Sequence, residues 1–203
     1  MLTRIGIITT ITILLSGCLQ NTAVPTSIAG SWFNHDRRTA GAIVDDQAVN
    51  AKANLALAKN KKIWKESHIS TLSYNGTLLL VGQTTTANNR STIENIVKPL
   101  TGVDKIYNQI TIREPIPMKV RCNDTWITTQ VKARIVSNRN IGINRVKVIT
   151  EDSVVYLMGM LTKDEEESTI EEARHVTGVK RVVTVIEPMD GLGWNKESGL
   201  APN

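Results

Sequence analysis

Few side chains in this sequence are placed to do covalent chemistry. Cys18 is the clearest: a thiol standing directly behind Leu15-Ser16-Gly17, small residues that end an apolar run. A thiolate is the strongest nucleophile among ordinary side chains, so this is a site for acylation or alkylation. If Cys18 is so used, Cys122 has no partner within the chain, and a disulfide scaffold is not expected. His35, His68 and His175 lie far apart, none at metal-ligand spacing with Cys or another His. Asp45-Asp46-Gln47 reads as a helix start rather than a catalytic pair. There is no Gly-x-Ser-x-Gly elbow, and Gly82 and Gly159 are single, so no phosphate loop is formed. The sequence predicts no enzyme, no metal and no cofactor.

The segment ahead of Cys18 has the three parts of a secretory signal: a charge at Arg4, an apolar core from Ile5 to Leu15, and small residues at Ser16 and Gly17. The apolar stretch is about a dozen residues, where a spanning helix needs roughly 20. Leu15-Ser16-Gly17-Cys18 resembles a lipobox, the cleavage signal of bacterial lipoproteins. By that resemblance residues 1–17 are removed, and Cys18 becomes the first mature residue with acyl chains, palmitate among them, on its sulfur and amine. Two or more chains anchor stably where one is marginal. A plain secretory signal with an incidental cysteine, or a short N-terminal anchor, is the competing reading. Position 19 is Leu; in lipoproteins Asp there favours retention at the inner membrane, so the resemblance points to the outer membrane, facing the periplasm.

Behind the leader the chain repeats itself. Gly82 matches Gly159, and Ser91-Thr92-Ile93-Glu94 matches Ser168-Thr169-Ile170-Glu171, all at an offset of 77. Thr101-Gly102-Val103 then matches Thr177-Gly178-Val179 at 76. Two copies of one unit are too few for a solenoid, so each is expected to be a small domain with its own core. Aromatic residues are 4% of the chain, so those cores must be aliphatic.

Each copy reads as helix-strand-strand-helix-strand. In the first, Val44, Ala48, Ala51, Leu55 and Ala58 recur at helical spacing and predict a buried stripe. In the second, Asp124 is placed to cap a helix that buries Ile127, Val131 and Ile135. Asn75-Gly76 between alternating runs is a strong hairpin signal; Asp152-Ser153 is the weaker counterpart. Gly82 and Gly159 are expected to end the second strands, at a backbone bend or a close approach. Second helices follow, stopped near Pro99 in one copy and loaded with Asp164, Glu165, Glu166 and Glu167 at its start in the other. The predicted fold is α+β: two tandem domains, each with two helices on one face of a three-stranded mixed sheet. The expected divisions are a leader at 1–17, a polar tether at 18–42, a first domain at 43–113, a proline-stiffened linker at 114–122, a second domain at 123–189 and a tail at 190–203.

Two such units behind a lipobox resemble the dual BON-domain outer-membrane lipoproteins. The resemblance is strongest in "NDTWITTQVKARI", "VKVITEDSVVYLMGMLT" and "HVTGVKRVVT", with Asn123 to Thr129 its most diagnostic run. The chain departs from the family pattern at Ser153, where Gly is usual, and at Cys122. The resemblance implies binding of anionic phospholipid through the first helix of the second domain. It also implies recruitment to division sites and support of envelope integrity.

The residues can be weighed against that implication. The net charge is +5. An exported chain does not meet nucleic acid, so phospholipid head groups, phosphatidylglycerol or cardiolipin, are the expected anionic partner. On a helical wheel Trp126 falls more than a third of a turn from the centre of the Ile127/Val131/Ile135 stripe, beside Gln130, Ala133 and Ser137, with Arg134 on the flank and Lys132 opposite the core. An indole off the core face suits a bilayer interface. The competing reading has Trp126 packed under the hairpin or between the domains, and Arg134 paired with Asp124. Eight basic residues lie in 113–149 (Arg113, Lys119, Arg121, Lys132, Arg134, Arg139, Arg145, Lys147) against two acidic ones. The acidic helix from Asp164 is expected to face away from the membrane. The site expected for phospholipid is therefore Trp126, Gln130, Lys132, Ala133, Arg134 and Ser137. A second function class stays open: a scaffold in which the first domain grips outer-membrane assembly machinery or a peptidoglycan regulator.

Overall fold

The two hairpin signals seed two sheets. The computed structural model describes residues 36–189 apart from Arg139; Cys18, the leader, the tether as far as His35 and the tail from residue 190 lie outside the described residues. The first copy consists of α1 (Ala40–Lys59), α2 (Lys61–Glu66), β1 (Ser67–Tyr74), β2 (Thr77–Thr84), α3 (Ala87–Val97) and β3 (Lys105–Ile112). The second consists of α4 (Met118–Ser137), β4 (Val146–Glu151), β5 (Val154–Leu161), α5 (Lys163–Arg174) and β6 (Arg181–Pro188). In each sheet the hairpin is antiparallel and the third strand joins the central one in parallel, giving the orders β1-β2-β3 and β4-β5-β6. The architecture is α+β with the expected element order, plus the short α2 that the sequence pattern did not mark.

The central strands are apolar on both faces, and that decides how the copies meet. Leu78 and Leu80 of β2 pack under Val49, Ala53, Leu57, Ile93 and Val97 from the helices. Val155, Leu157 and Leu161 of β5 pack under Ile127, Val131, Ile135 and Ala173. The alternate residues Leu79, Val81, Tyr156, Met158 and Met160 join Tyr74 in a third core. The helix-free faces of the two sheets are thus packed together, giving layers helix–sheet–sheet–helix. Each large side chain fully buried there contributes roughly 1.5–3 kcal/mol. Polar bonds cross the same interface: Gln83 Nε2 donates to Glu151 Oε1 at 2.8 Å, and Lys147 Nζ donates to the Ser73 carbonyl at 2.7 Å.

Each first helix carries a buried aspartate that grips its own hairpin. Asp46 accepts from the Ser73 hydroxyl at 2.7 Å, from the Asn75 N–H at 2.8 Å and from the Gly76 N–H at 3.3 Å. Asp124 accepts from the N–H groups of Asp152 and Ser153, both at 2.8 Å. The two turns share one conformation, with positive φ at Asn75 (49°), Gly76 (77°), Asp152 (48°) and Ser153 (64°). The aspartates satisfy turn donors that would otherwise be buried without partners. Ser153 stands where glycine is favoured. Ser153→Gly is expected to raise stability by about 0.5–1 kcal/mol, read as a higher thermal midpoint; a lower midpoint would mean that the serine side chain contributes more than its strain removes.

The structure corrects four sequence readings. Asp124 is not an N-cap: α4 begins six residues earlier, after Pro117 and inside the expected linker, and Asp124 is a buried mid-helix residue. Asp45-Asp46-Gln47 is not a helix start, since α1 begins at Ala40 under the Thr39 cap. The stripe Val44, Ala48, Ala51, Leu55, Ala58 is not the buried face of α1. Asp46, Val49, Ala53 and Leu57 point inward, and Val44 and Leu55 stand exposed. The grip of Asp46 on the turn fixes the rotation of α1. Gly82 and Gly159 lie two residues before their strand ends rather than at them. A Cβ there would sit 1.9 Å from the His68 carbonyl oxygen and 2.3 Å from that of Arg145, so the close backbone approach is the reason for glycine.

Candidate functional site

The outer face of α4 is built by the residues that are not needed for its core. Asp124, Ile127, Val131 and Ile135 turn inward. Opposite them Trp126 is 62% exposed, and its indole N–H has no protein acceptor among the described residues. Ala133 and Ser137, about one turn apart, lie exposed along the same line, with Gln130 half-buried beside them. Met118 and Val136 are also exposed, and they lie about five whole turns apart on one side of Trp126. Sequence reasoning missed both. Met118 lies within the expected linker, and only a helix that starts two turns ahead of Asp124 lines it up with Val136 as a ridge.

The polar side chains of this face are largely occupied by the helix itself. The hydroxyls of Thr125, Thr129 and Ser137 donate to the carbonyls of Arg121, Thr125 and Ala133 at 2.9–3.0 Å. Their outward atoms are therefore methyl and methylene groups, and the face is less polar than its composition suggests.

The flanks differ in charge. On one, Arg134 Nε donates to Glu172 Oε2 of α5 at 2.9 Å, and Asn138 Nδ2 donates to the other oxygen at 3.0 Å. The Arg134–Asp124 pair of the competing reading is not formed, because Asp124 is turned into the core. Arg134, Ala133, Ser137 and Glu172 line an open depression of about 580 Å3. The acidic helix α5 thus runs beside α4 on this flank. On the other flank Lys132 is exposed, and a groove of about 390 Å3 runs between it and the first copy, with His68 and Ser70 on one wall and Arg121, Thr125 and Thr128 on the other. Neither Lys132, Arg121 nor Lys119 has a carboxylate within 4.0 Å among the described residues.

The basic run is smaller as a surface than as a sequence. Arg113 pairs with Asp152 at 2.7 Å, and Arg145 pairs with Glu165. Lys147 is drawn into the interface between the copies, where burial holds its pKa below the usual lysine range. Arg139 lies outside the described residues. Lys119 and Lys132 remain for an external partner, and Arg121, half-buried, donates its Nε to the Ile116 carbonyl at 3.0 Å. Cys122 is free and exposed on the same face. Among the described residues no group of three or more His, Cys, Asp or Glu could hold a metal, and no helix is long and apolar enough to cross a membrane.

Comparison with known proteins places this geometry. The BON-domain profile matches residues 45–114 and again 123–187. The chain is 31% identical to the outer membrane lipoprotein DolP of Haemophilus influenzae over 93% of its length and 97% of the relative's. It is 36% identical to the 21 kDa hemolysin of Actinobacillus pleuropneumoniae over 74% of its length and 78% of the relative's. It is 27% identical to the osmotically-inducible protein Y of Escherichia coli over 82% of its length and 85% of the relative's.

Proposed function

This chain belongs to the BON-domain family with two copies of the domain, and from that premise we propose that it is a lipid-anchored protein of the outer membrane whose second domain docks on anionic phospholipid. The anchor is Cys18, the setting is the periplasmic face, and the docking element is α4. Phosphatidylglycerol and cardiolipin are the lipids its charge suits. Enrichment at division sites and support of envelope integrity follow the same reading. The observation that carries it is Trp126: a large ring left in solvent on a helix whose hydroxyls are turned back on its own carbonyls, beside Met118 and Val136 and the exposed Lys119 and Lys132. An amphipathic ring with a wet N–H is suited to the head-group layer. Each nearby cation adds roughly 1 kcal/mol at an anionic surface.

Vesicle co-sedimentation tests it. The chain from Leu19 onward contains all of the described residues and lacks Cys18. It is expected to bind vesicles rich in phosphatidylglycerol and to release them in high salt. Trp126→Glu is expected to weaken binding by roughly 30- to 100-fold, since it removes the buried ring and adds a repelled charge. Equal binding to neutral vesicles, or unchanged binding by Trp126→Glu, would rule this reading out.

One observation favours a second activity alongside the first. The stripe of α1 formed by Val44, Ala51, Leu55 and Ala58, with Ala48 half-buried beside them, is exposed and apolar and suits a protein partner, such as outer-membrane assembly machinery or a peptidoglycan regulator. Photocrosslinking from positions 44 and 55 in cells tests it: discrete adducts support a scaffold role, and their absence removes it.

A further inference from the structure

We infer that α2 of the first domain is a second bilayer contact, with Trp64 entering the interface of an anionic membrane and Lys59, Lys61, Lys62 and Lys65 lying on its head groups. This rests on the reading of α4 as the first contact and extends it to residues that reading does not use.

Trp64 is 71% exposed, the most exposed of the large apolar side chains described. The fold does not require it there. α2 is six residues long and is tied down by Ile63, which is buried, and by Asn60, whose side chain accepts from the Ile63 N–H. The lysines around the ring are all exposed, and none has a carboxylate within 4.0 Å among the described residues. The nearest acid in sequence, Glu66, accepts instead from Asn89 Nδ2 at 2.8 Å. Lysine rather than arginine favours a fluid array of phosphates over a fixed bidentate partner, because an ammonium on a flexible stem imposes no planar geometry.

The placement agrees. α2 runs directly into β1, whose His68 and Ser70 form the wall of the groove opposite Arg121, Thr125 and Lys132 of α4. The acidic helix α5 occupies the other flank of α4, at Glu172. The groove also holds the carboxylates of Asp124 and Glu151, but both are buried, so Lys132 and the α2 lysines that lead from its far wall are the charges presented to an anionic surface, which the α5 flank repels.

The test uses the chain from Leu19 onward with mixed phosphatidylcholine and phosphatidylglycerol vesicles, and thermal unfolding to confirm the fold of each variant. Trp64→Ala is expected to weaken binding about tenfold, and the triple change Lys61→Gln, Lys62→Gln, Lys65→Gln about tenfold or more. If the wild type binds, Trp126→Glu abolishes binding and the α2 variants bind as the wild type does, the inference is overturned while the α4 reading stands. Loss with the lysine variants but none with Trp64→Ala also overturns it, since the ring then does not insert. If the wild type binds no better than Trp126→Glu, the α4 reading fails and this inference goes with it.

Discussion

Asp46→Ala is expected to destabilise the protein by about 3–5 kcal/mol, measured by urea unfolding, while Asp45→Ala next to it changes stability by less than about 0.5 kcal/mol. The contrast follows from where the two carboxylates stand. Asp45 is exposed. Asp46 is 1% exposed and accepts four bonds, from Ser73, Asn75, Gly76 and Arg38, the last at 2.7 Å. The Arg38 side chain is itself 4% exposed and lies 4.1 Å from the centre of the Tyr74 ring. Removing the carboxylate leaves a buried guanidinium held by Asp36 alone and two turn N–H groups without their acceptor. The pH dependence has a definite sign. Burial opposes ionisation of Asp46, but the bonds from Asn75, Ser73, Arg38 and Gly76 outweigh it and hold its pKa below the usual carboxylate range. A carboxyl group whose folded pKa is lowered contributes stability that is complete above the unfolded value, near 4, and is lost as pH falls through the folded one. Asp46→Asn should therefore flatten the acid limb of the stability profile below about pH 4.

The opposite slope is expected from Glu151. It is 6% exposed between the two sheets, where Gln83 Nε2 donates to it at 2.8 Å. Burial pushes its carboxyl up to about 7, and the Asp124 charge adds to that. His68 Nε2 is 3.7 Å away, but burial and the Arg121 charge lower its pKa, which disfavours the imidazolium that would pair with the carboxylate. A raised folded pKa gives stability that is full below the unfolded value of 4.5, declines as pH rises, and is gone above about 7. That span corresponds to about 3 kcal/mol. Glu151→Gln keeps an oxygen for Gln83 and carries no charge. It is expected to be more stable than the wild type at pH 8 by up to about 3 kcal/mol and to show no slope between pH 5 and 7. A variant that keeps the wild-type slope would assign that slope to another group.

How much of this was legible beforehand varies by element. Asn75-Gly76 and the repeated Thr-Gly-Val placed the hairpins and the ends of the second helices, because those signals are local and belong to the backbone. The rotation of α1 was not legible. Val44-Ala48-Ala51-Leu55-Ala58 and Val49-Ala53-Leu57 both satisfy helical spacing, and only the tertiary bond from Asp46 to the Asn75 turn selects between them. Asp124 misled for a related reason: a short acid ahead of an apolar stripe looks like a helix cap, and this one does accept two backbone N–H groups, but they belong to the hairpin. The packing of sheet on sheet had a signal that was passed over. Leu78-Leu79-Leu80-Val81 and Val155-Tyr156-Leu157-Met158 are apolar at every position, the mark of strands covered on both faces. The exposure of Trp126 followed from the wheel, but the basic run overstated its surroundings, since Arg113, Arg134, Arg145 and Lys147 are taken up by contacts within the fold.

The central claim is that Trp126 enters the lipid interface, and its fluorescence reports that position directly. The chain holds four tryptophans, so Trp32, Trp64 and Trp194 changed to Phe leave Trp126 as the only indole. With brominated phosphatidylglycerol vesicles its emission is expected to shift to the blue and to be quenched by the bromines, and neutral vesicles should do neither. Emission that stays at its aqueous wavelength and escapes quenching while the protein sediments with anionic vesicles would place the indole outside the bilayer and contradict the account.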